Sequence, residues 1–238
     1  MIELRPFEKL GKSNHGWLNA NFHFSFAEYR DPARMHWGQL RVWNNDRIQP
    51  QSGFPPHPHR DMEIVTYVIK GAITHQDHLG NKGRTDAGQI QVMSAGRGIQ
   101  HAEYNLEADE TELFQIWILP NKEGVPARWE TVRFPAEARD GTLVPLASGR
   151  GHAGAIPLHA DGALFAGTLK AGQSIVQKLD GKPAYLVPAK GRIEVLGHDG
   201  KPVSAKARDG VAVVDESEIT LKAGEDTEIV LVETDKLN

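Results

Sequence analysis

The 238-residue chain contains no cysteine. Disulfides, thiolate nucleophiles and cysteine-held metal sites are therefore excluded, and any bound metal must be held by nitrogen and oxygen. It contains no run of about 18 apolar residues, the length a membrane-spanning helix needs. The opening residues MIELRPFEKLGKSNHG lack the apolar stretch of a secretory signal. These absences set the expectation of a soluble cytoplasmic protein with no membrane partner. Surplus positive charge is missing too. Lys and Arg number 27 against 31 Asp and Glu, a net −4, so no nucleic acid partner is expected. Nor does any segment longer than about 10 residues hold helical spacing. Short helices only are expected, near residues 27–34 and 135–139.

What the chain has is glycine, proline and β-branched residues. The 24 Gly and 14 Pro suit many turns between short strands. EIVTYVI (63–69), GQIQVM (88–93) and TELFQIWIL (111–119) read as strands. EIVTYVI, then Lys70-Gly71, then AITHQD predicts a hairpin. In NANFHFSFAEY, alternation puts Phe22, Phe24 and Phe26 on one face. Much of this recurs later. YLVPAKGRIEV (from Tyr185) follows TYVIKGAIT (from Thr66), GVAVVDES (from Gly210) follows GQIQVMSA, and TEIVLVE (from Thr227) follows TELFQIWI. Two copies of one antiparallel β unit are expected, with domains at 1–134 and 135–238. Short strands at this spacing argue for an all-β protein of barrels or jelly rolls.

The chemistry concentrates in two short stretches. In His57-Pro58-His59, residues i and i+2 of an extended strand aim both imidazoles at one side. His101-Ala102-Glu103 repeats that spacing just after the glycine-rich SAGRG. Two such strands make a pocket of three imidazoles and one carboxylate. That set suits a divalent Fe, Mn, Co, Ni, Cu or Zn ion. An octahedral ion would keep two positions open, whereas structural zinc sites are closed tetrahedra. The second copy carries SIVQKLDG and EITLKAG in the corresponding places, with no histidine, so one copy holds the chemistry. His75 and His78, in THQDHLGN, read as surface or turn residues, and Arg60 and Asp61 as solvated charges. On the strand from Thr111, Gln115 and Trp117 share one face, opposite Phe114, Ile116 and Ile118; one set must line the barrel interior.

PHPHRDMEIVTYVIKG and SAGRGIQHAEYN resemble the two cupin motifs in the form found in the pirin family. The resemblance runs through nearly the whole chain, HGWLNANFHFSFAEYRDP included. Gly53, His57, His59, Glu63 and Gly71 fit the first motif, with one residue more than usual between Glu63 and Gly71. Gly88, Gly96, His101 and Asn105 fit the second, with Ser94 where proline is common. The resemblance implies a bicupin: two double-stranded β-helix (jelly-roll) barrels packed together, with few short helices. Most cupins use a glutamate at the position of Glu63 as fourth ligand, whereas pirin-like proteins use one at the position of Glu103. Glu63 also lies about 13 Å beyond His59 along a straight strand. The implied ligands are thus His57, His59, His101 and Glu103, with Glu63 either supporting a ligand or serving as a structural charge. Bacterial pirin-like proteins that act as quercetin 2,3-dioxygenases imply an oxidoreductase. It would cleave the central ring of a flavonol with dioxygen and release carbon monoxide. Glu103 would then be the catalytic base, and Fe(2+) is the expected ion among Ni, Mn, Co, Cu and Zn. The alternative implied by the same family is a metal-dependent regulatory module that binds a protein partner.

Overall fold

The structure, a computed structural model, describes residues 1–237, apart from the side chain of Ala138. Four sheets build two barrels, each pairing a seven-stranded sheet with a four-stranded one. In the first barrel, Glu63–Lys70 lies between Ile90–Ser94 and Thr111–Ile118. In the second, Ala184–Lys190 lies between Gly210–Val213 and Thr227–Thr234 in the same order. The small sheets match as well. Ser52–His59, Ile99–Asn105, Ala72–Asp77 and Lys82–Asp86 run in the order of Ser174–Lys178, Glu218–Ala223, Arg192–Leu196 and Pro202–Lys206. The repeat legible in the sequence is therefore a repeat of barrel topology. Helix is confined, among the described residues, to three 3-10 turns, Phe7–Lys9, Pro32–Arg34 and Glu137–Arg139. None is long and apolar enough to cross a membrane.

Two local expectations are corrected. Glu63–Lys70 and Ala72–Asp77 do not form a hairpin; the first belongs to the large sheet and the second to the small one. Gly71 is the corner between them. It has φ +76°, and a Cβ there would lie 2.6 Å from Thr111 Oγ1. A tight turn and a sheet corner both call for left-handed glycine, so the local signal is the same. The hairpin partner of Ala72–Asp77 is Lys82–Asp86. Nor do Phe22, Phe24 and Phe26 share a face. The strand Leu18–Phe22 ends at Phe22, and the alternation ends with it. Phe22 and Phe26 stay together, with ring centroids 5.4 Å apart. Phe24 turns the other way, onto Tyr185 of the second barrel at 5.1 Å.

The largest core lies between the barrels. Phe24, Trp43, Tyr67, Phe114 and Ile116 pack there with Leu164, Tyr185, Val187 and Val230. Fully burying each such side chain is worth roughly 1.5–3 kcal/mol. This explains why EIVTYVI is apolar throughout rather than alternating: its strand is covered on both faces. It also decides the face of the strand Thr111–Ile118. Phe114, Ile116 and Ile118 enter the inter-barrel core, leaving Gln115 and Trp117 for the barrel interior. The first strand, Ile2–Arg5, crosses over and pairs with Gly210–Val213 in the second barrel.

Candidate metal centre

His57 and His59 stand on Ser52–His59, an edge strand of the small sheet. Pro55, Pro56 and Pro58 are tolerated there because an edge strand needs fewer N–H donors. The prolines are exposed and the two histidines face inward, half-buried. The neighbouring strand sets His101 directly opposite His57 and Ile99 opposite His59. The register slips between His101 and Glu103, a bulge that sets Glu103 opposite Phe54. Gly53 permits this approach, since a Cβ there would lie 2.2 Å from the carbonyl oxygen of Glu103.

The three imidazoles converge. Nitrogens of His57, His59 and His101 lie within 4.8 Å of one another, and Nε2 of His57 is 3.1 Å from Nε2 of His101. His57 Nδ1 is 2.8 Å from the carbonyl oxygen of Pro55, which can only accept. That nitrogen therefore carries the hydrogen, and the Nε2 lone pair faces the cluster. Burial pushes His59 down to about 4 and His101 down to about 3, helped by the neighbouring imidazoles. Both rings are thus neutral, the form that binds a metal. Two nitrogens at right angles about an ion at 2.0–2.1 Å would sit about 3.0 Å apart, so the observed spacing and the donor chemistry both fit a divalent ion.

Glu103 is buried on the same cavity wall. Its carboxylate groups within 4.8 Å of His101 and His75 rather than of all three clustered imidazoles. Gln115 Nε2 donates to its Oε2 at 3.0 Å, Gln91 Nε2 donates to its Oε1, and Thr66 Oγ1 donates to Oε1 at 3.4 Å. The cavity itself holds about 330 Å³ and is walled by Phe22, Phe26, Phe54, Ile64 and Trp117. Asn44 and Asp46 also line it. Burial, with the nearby charge of Glu103, pushes the Asp46 carboxyl up to about 8.

Glu63 takes no part in the cluster. It is buried, accepts a hydrogen bond from Ser94 Oγ at 2.8 Å, and burial raises its carboxyl above the usual range. Asn105 is tied to the carbonyls of Ile48, Gln49 and Asp109 and holds the loop after its strand. His78 and Arg60 are exposed, where the sequence places them, and Gly96 and Gly98 take positive φ in the turn ahead of His101. His75 does not: the expectation of a surface residue is corrected. It is fully buried, with Nδ1 3.2 Å from His101 Nδ1 and Nε2 3.0 Å from Asp77 Oδ2. Its ring stacks on Trp129 at 4.7 Å, and Trp129 Nε1 donates to Gln91 Oε1 at 3.2 Å. The missed signal was parity, since Ile73, His75 and Asp77 alternate inward as His57 and His59 do.

The second barrel shows what replaces such a site. Counting from Gly71 and Gly191, the counterpart of His75 is Val195, which pairs with Leu221 as His75 pairs with Glu103. Ile219 then stands for His101, and Gln177 opposite it for His57. Leu186, Val211 and Leu231 replace Thr66, Gln91 and Gln115. The replacements for His75, His101, Glu103, Thr66, Gln91 and Gln115 are all apolar and join one packed core. That barrel is filled, whereas the first is hollow.

Fold and site together define a bicupin with a nitrogen- and oxygen-rich donor cluster in one barrel. The Pirin family model matches residues 3–118, and the model described as quercetinase C-terminal cupin domain matches 145–234. The chain belongs to the pirin family. It is 55% identical to a pirin-like protein of Caulobacter vibrioides, over 98% of this chain and 99% of that one. It is 41% identical to the quercetin 2,3-dioxygenase of Escherichia coli K12, over 97% of each. Among solved structures, the bacterial pirin YhhW of Escherichia coli in complex with nickel(II) superposes with a TM-score of 0.91 at 37% identity, covering 100% of both chains.

Proposed function

We propose that the first barrel binds one divalent transition-metal ion through His57, His59, His101 and Glu103, and that the loaded protein opens the central ring of quercetin-like flavonols with dioxygen, releasing carbon monoxide. The observation that carries this reading is the converging imidazole set on the wall of an apolar cavity, with a ligand-type spacing of 3.1 Å. The names of the relatives support the substrate class, and the nickel(II) complex of the Escherichia coli relative makes nickel a candidate beside iron. When bound, the ion would supply Lewis acidity toward the adjacent hydroxyl and ketone oxygens of a flavonol.

The rest falls to the chain. Glu103 is the base within the site, and its carboxylate oxygens are held by Gln91 and Gln115 ready to take the proton of the flavonol hydroxyl. Phe22, Phe26, Phe54 and Trp117 provide flat apolar walls that exclude water and orient an aromatic ring system. Asn44 and Asp46 add polar groups to the same lining.

The test is to strip the protein of metal and reload it singly with Fe(2+), Ni, Mn, Co, Cu or Zn. Each form is then incubated with quercetin in air. Loss of flavonol absorbance together with carbon monoxide release is expected from at least one loaded form, and from neither the stripped protein nor His101→Ala. Absence of turnover with every ion would overturn the enzymatic reading in favour of the regulatory one.

A further inference from the structure

His75 and Asp77 do not line the cavity, and the proposed chemistry does not use them. Yet His75 and the carboxylate of Asp77 are wholly buried together. The hydrogen-bond directions can be worked out from the carboxylate inward. Asp77 Oδ1 accepts from the backbone N–H groups of Leu79 and Asn81, at 2.9 and 3.1 Å. Its Oδ2 accepts from Asn81 Nδ2 at 2.9 Å and faces His75 Nε2 at 3.0 Å. A carboxylate can only accept, so His75 Nε2 carries the hydrogen. With a single hydrogen, the His75 ring presents a lone pair at Nδ1, 3.2 Å from His101 Nδ1. His57 Nε2 presents another, 3.1 Å from His101 Nε2, and His101 has one hydrogen for the two. His75 is the stronger acceptor, because a carboxylate polarises its N–H whereas a neutral carbonyl oxygen faces that of His57, so His101 Nδ1 is the donor. The remaining nitrogen of His101, Nε2, is left as a lone pair aimed at His57.

We infer that Asp77 and His75 are positioning residues that lock His101 in the tautomer whose Nε2 can bind a metal. The chain runs from carboxylate to imidazole to imidazole, one ring longer than the usual support of a ligand histidine. Trp129 fixes the plane of His75 by stacking, at an interplanar angle of 8°. The same Trp129 holds Gln91, which holds Glu103, so one side chain braces both His101 and Glu103. The inference rests on the metal reading above only for the purpose of the tautomer, not for its existence.

Two variants test it. In Asp77→Asn, the two backbone N–H groups retain the amide oxygen, and the amide nitrogen takes the place of Oδ2. His75 Nε2 must then accept, its Nδ1 must donate, and the hydrogen of His101 moves to Nε2, the ligand atom. His75→Phe keeps the stacking on Trp129 but removes the acceptor. The measurements are nitrogen-15 NMR of the histidine rings in the metal-free protein and competition titration with nickel chloride against a chelator. The parent should show His101 protonated at Nδ1, and Asp77→Asn should invert it. Both variants should bind Ni(2+) about 10- to 100-fold more weakly, with the metal-free fold intact by thermal unfolding. The inference is overturned if the parent carries its hydrogen on Nε2, if Asp77→Asn leaves the tautomer unchanged, or if both variants bind nickel within about twofold of the parent. A parent that binds no nickel would sink the metal reading, while the tautomer spectrum, which needs no metal and no variant, still decides this one.

Discussion

Acidification should loosen the joint between the barrels through His23. This residue is fully buried in the inter-barrel core, its Nδ1 2.9 Å from the hydroxyl of Tyr185. Trp43 and Tyr185 pack on it, and the charged groups that act on it are Arg5 and Arg34. Burial, then the two arginines, push its pKa down from 6.5 to about 3. The unfolded chain therefore binds a proton that the folded chain refuses. The stability this group contributes is complete above its unfolded pKa and declines as pH falls toward the folded one. Linkage puts the loss between pH 7 and about pH 4.5 at roughly 2.5 kcal/mol, rising toward about 5 kcal/mol below pH 3. Other buried histidines contribute in the same direction, so the measurement must isolate this one. His23→Asn places a non-titrating amide near Nδ1 and keeps a partner for Tyr185. Urea unfolding of metal-free parent and variant, followed by tryptophan fluorescence at pH 7 and about pH 4.5, gives two pH differences. The parent should lose about 2.5 kcal/mol more than the variant between the two conditions. A double difference below about 0.5 kcal/mol would refute the reasoning, because it would mean that His23 accepts its proton in place.

Two further outcomes follow from the geometry. Gln115→Leu copies the second barrel, where Leu231 stands, but strands one oxygen of Glu103. It should cost about 1–3 kcal/mol in urea unfolding and weaken nickel binding; unchanged values for both would show that the amide is not holding the carboxylate. Gly71→Ala must adopt φ +76° and place a Cβ 2.6 Å from Thr111 Oγ1. A loss of at least about 1–2 kcal/mol is expected by the same assay, and a neutral result would mean that the corner relaxes freely.

The convergence of His57, His59 and His101 was legible where strand parity alone governs. His57-Pro58-His59 needs only two residues of extended chain to aim both side chains one way. His75 and Asp77 obey the same parity, yet they stand beside His78, Leu79 and Gly80, and turn residues there masked an inward-facing strand end. The position of Glu103 relative to the imidazoles depends on the bulge after His101, which no spacing in the chain announces. The barrel repeat was legible because central strands covered on both faces give long apolar runs. The corner at Gly71 was not, since a glycine turn carries no record of which sheet receives the next strand. Phe24 departed from its neighbours because alternation stops where pairing stops, at Phe22.

The crossing of Ile2–Arg5 into the second barrel has a consequence for how the molecule is made. Its partner strand, Gly210–Val213, is synthesised some two hundred residues later. Until then the large sheet of the second barrel does not exist, and Ile2–Arg5 has nothing to pair with. Contacts of such separation slow folding. A cut between the barrels would also strip an edge from one sheet and expose the inter-barrel core, inviting the pieces to aggregate. The hollow barrel and the filled one are thus finished together, because a strand from the start of the sequence completes a sheet built near its end.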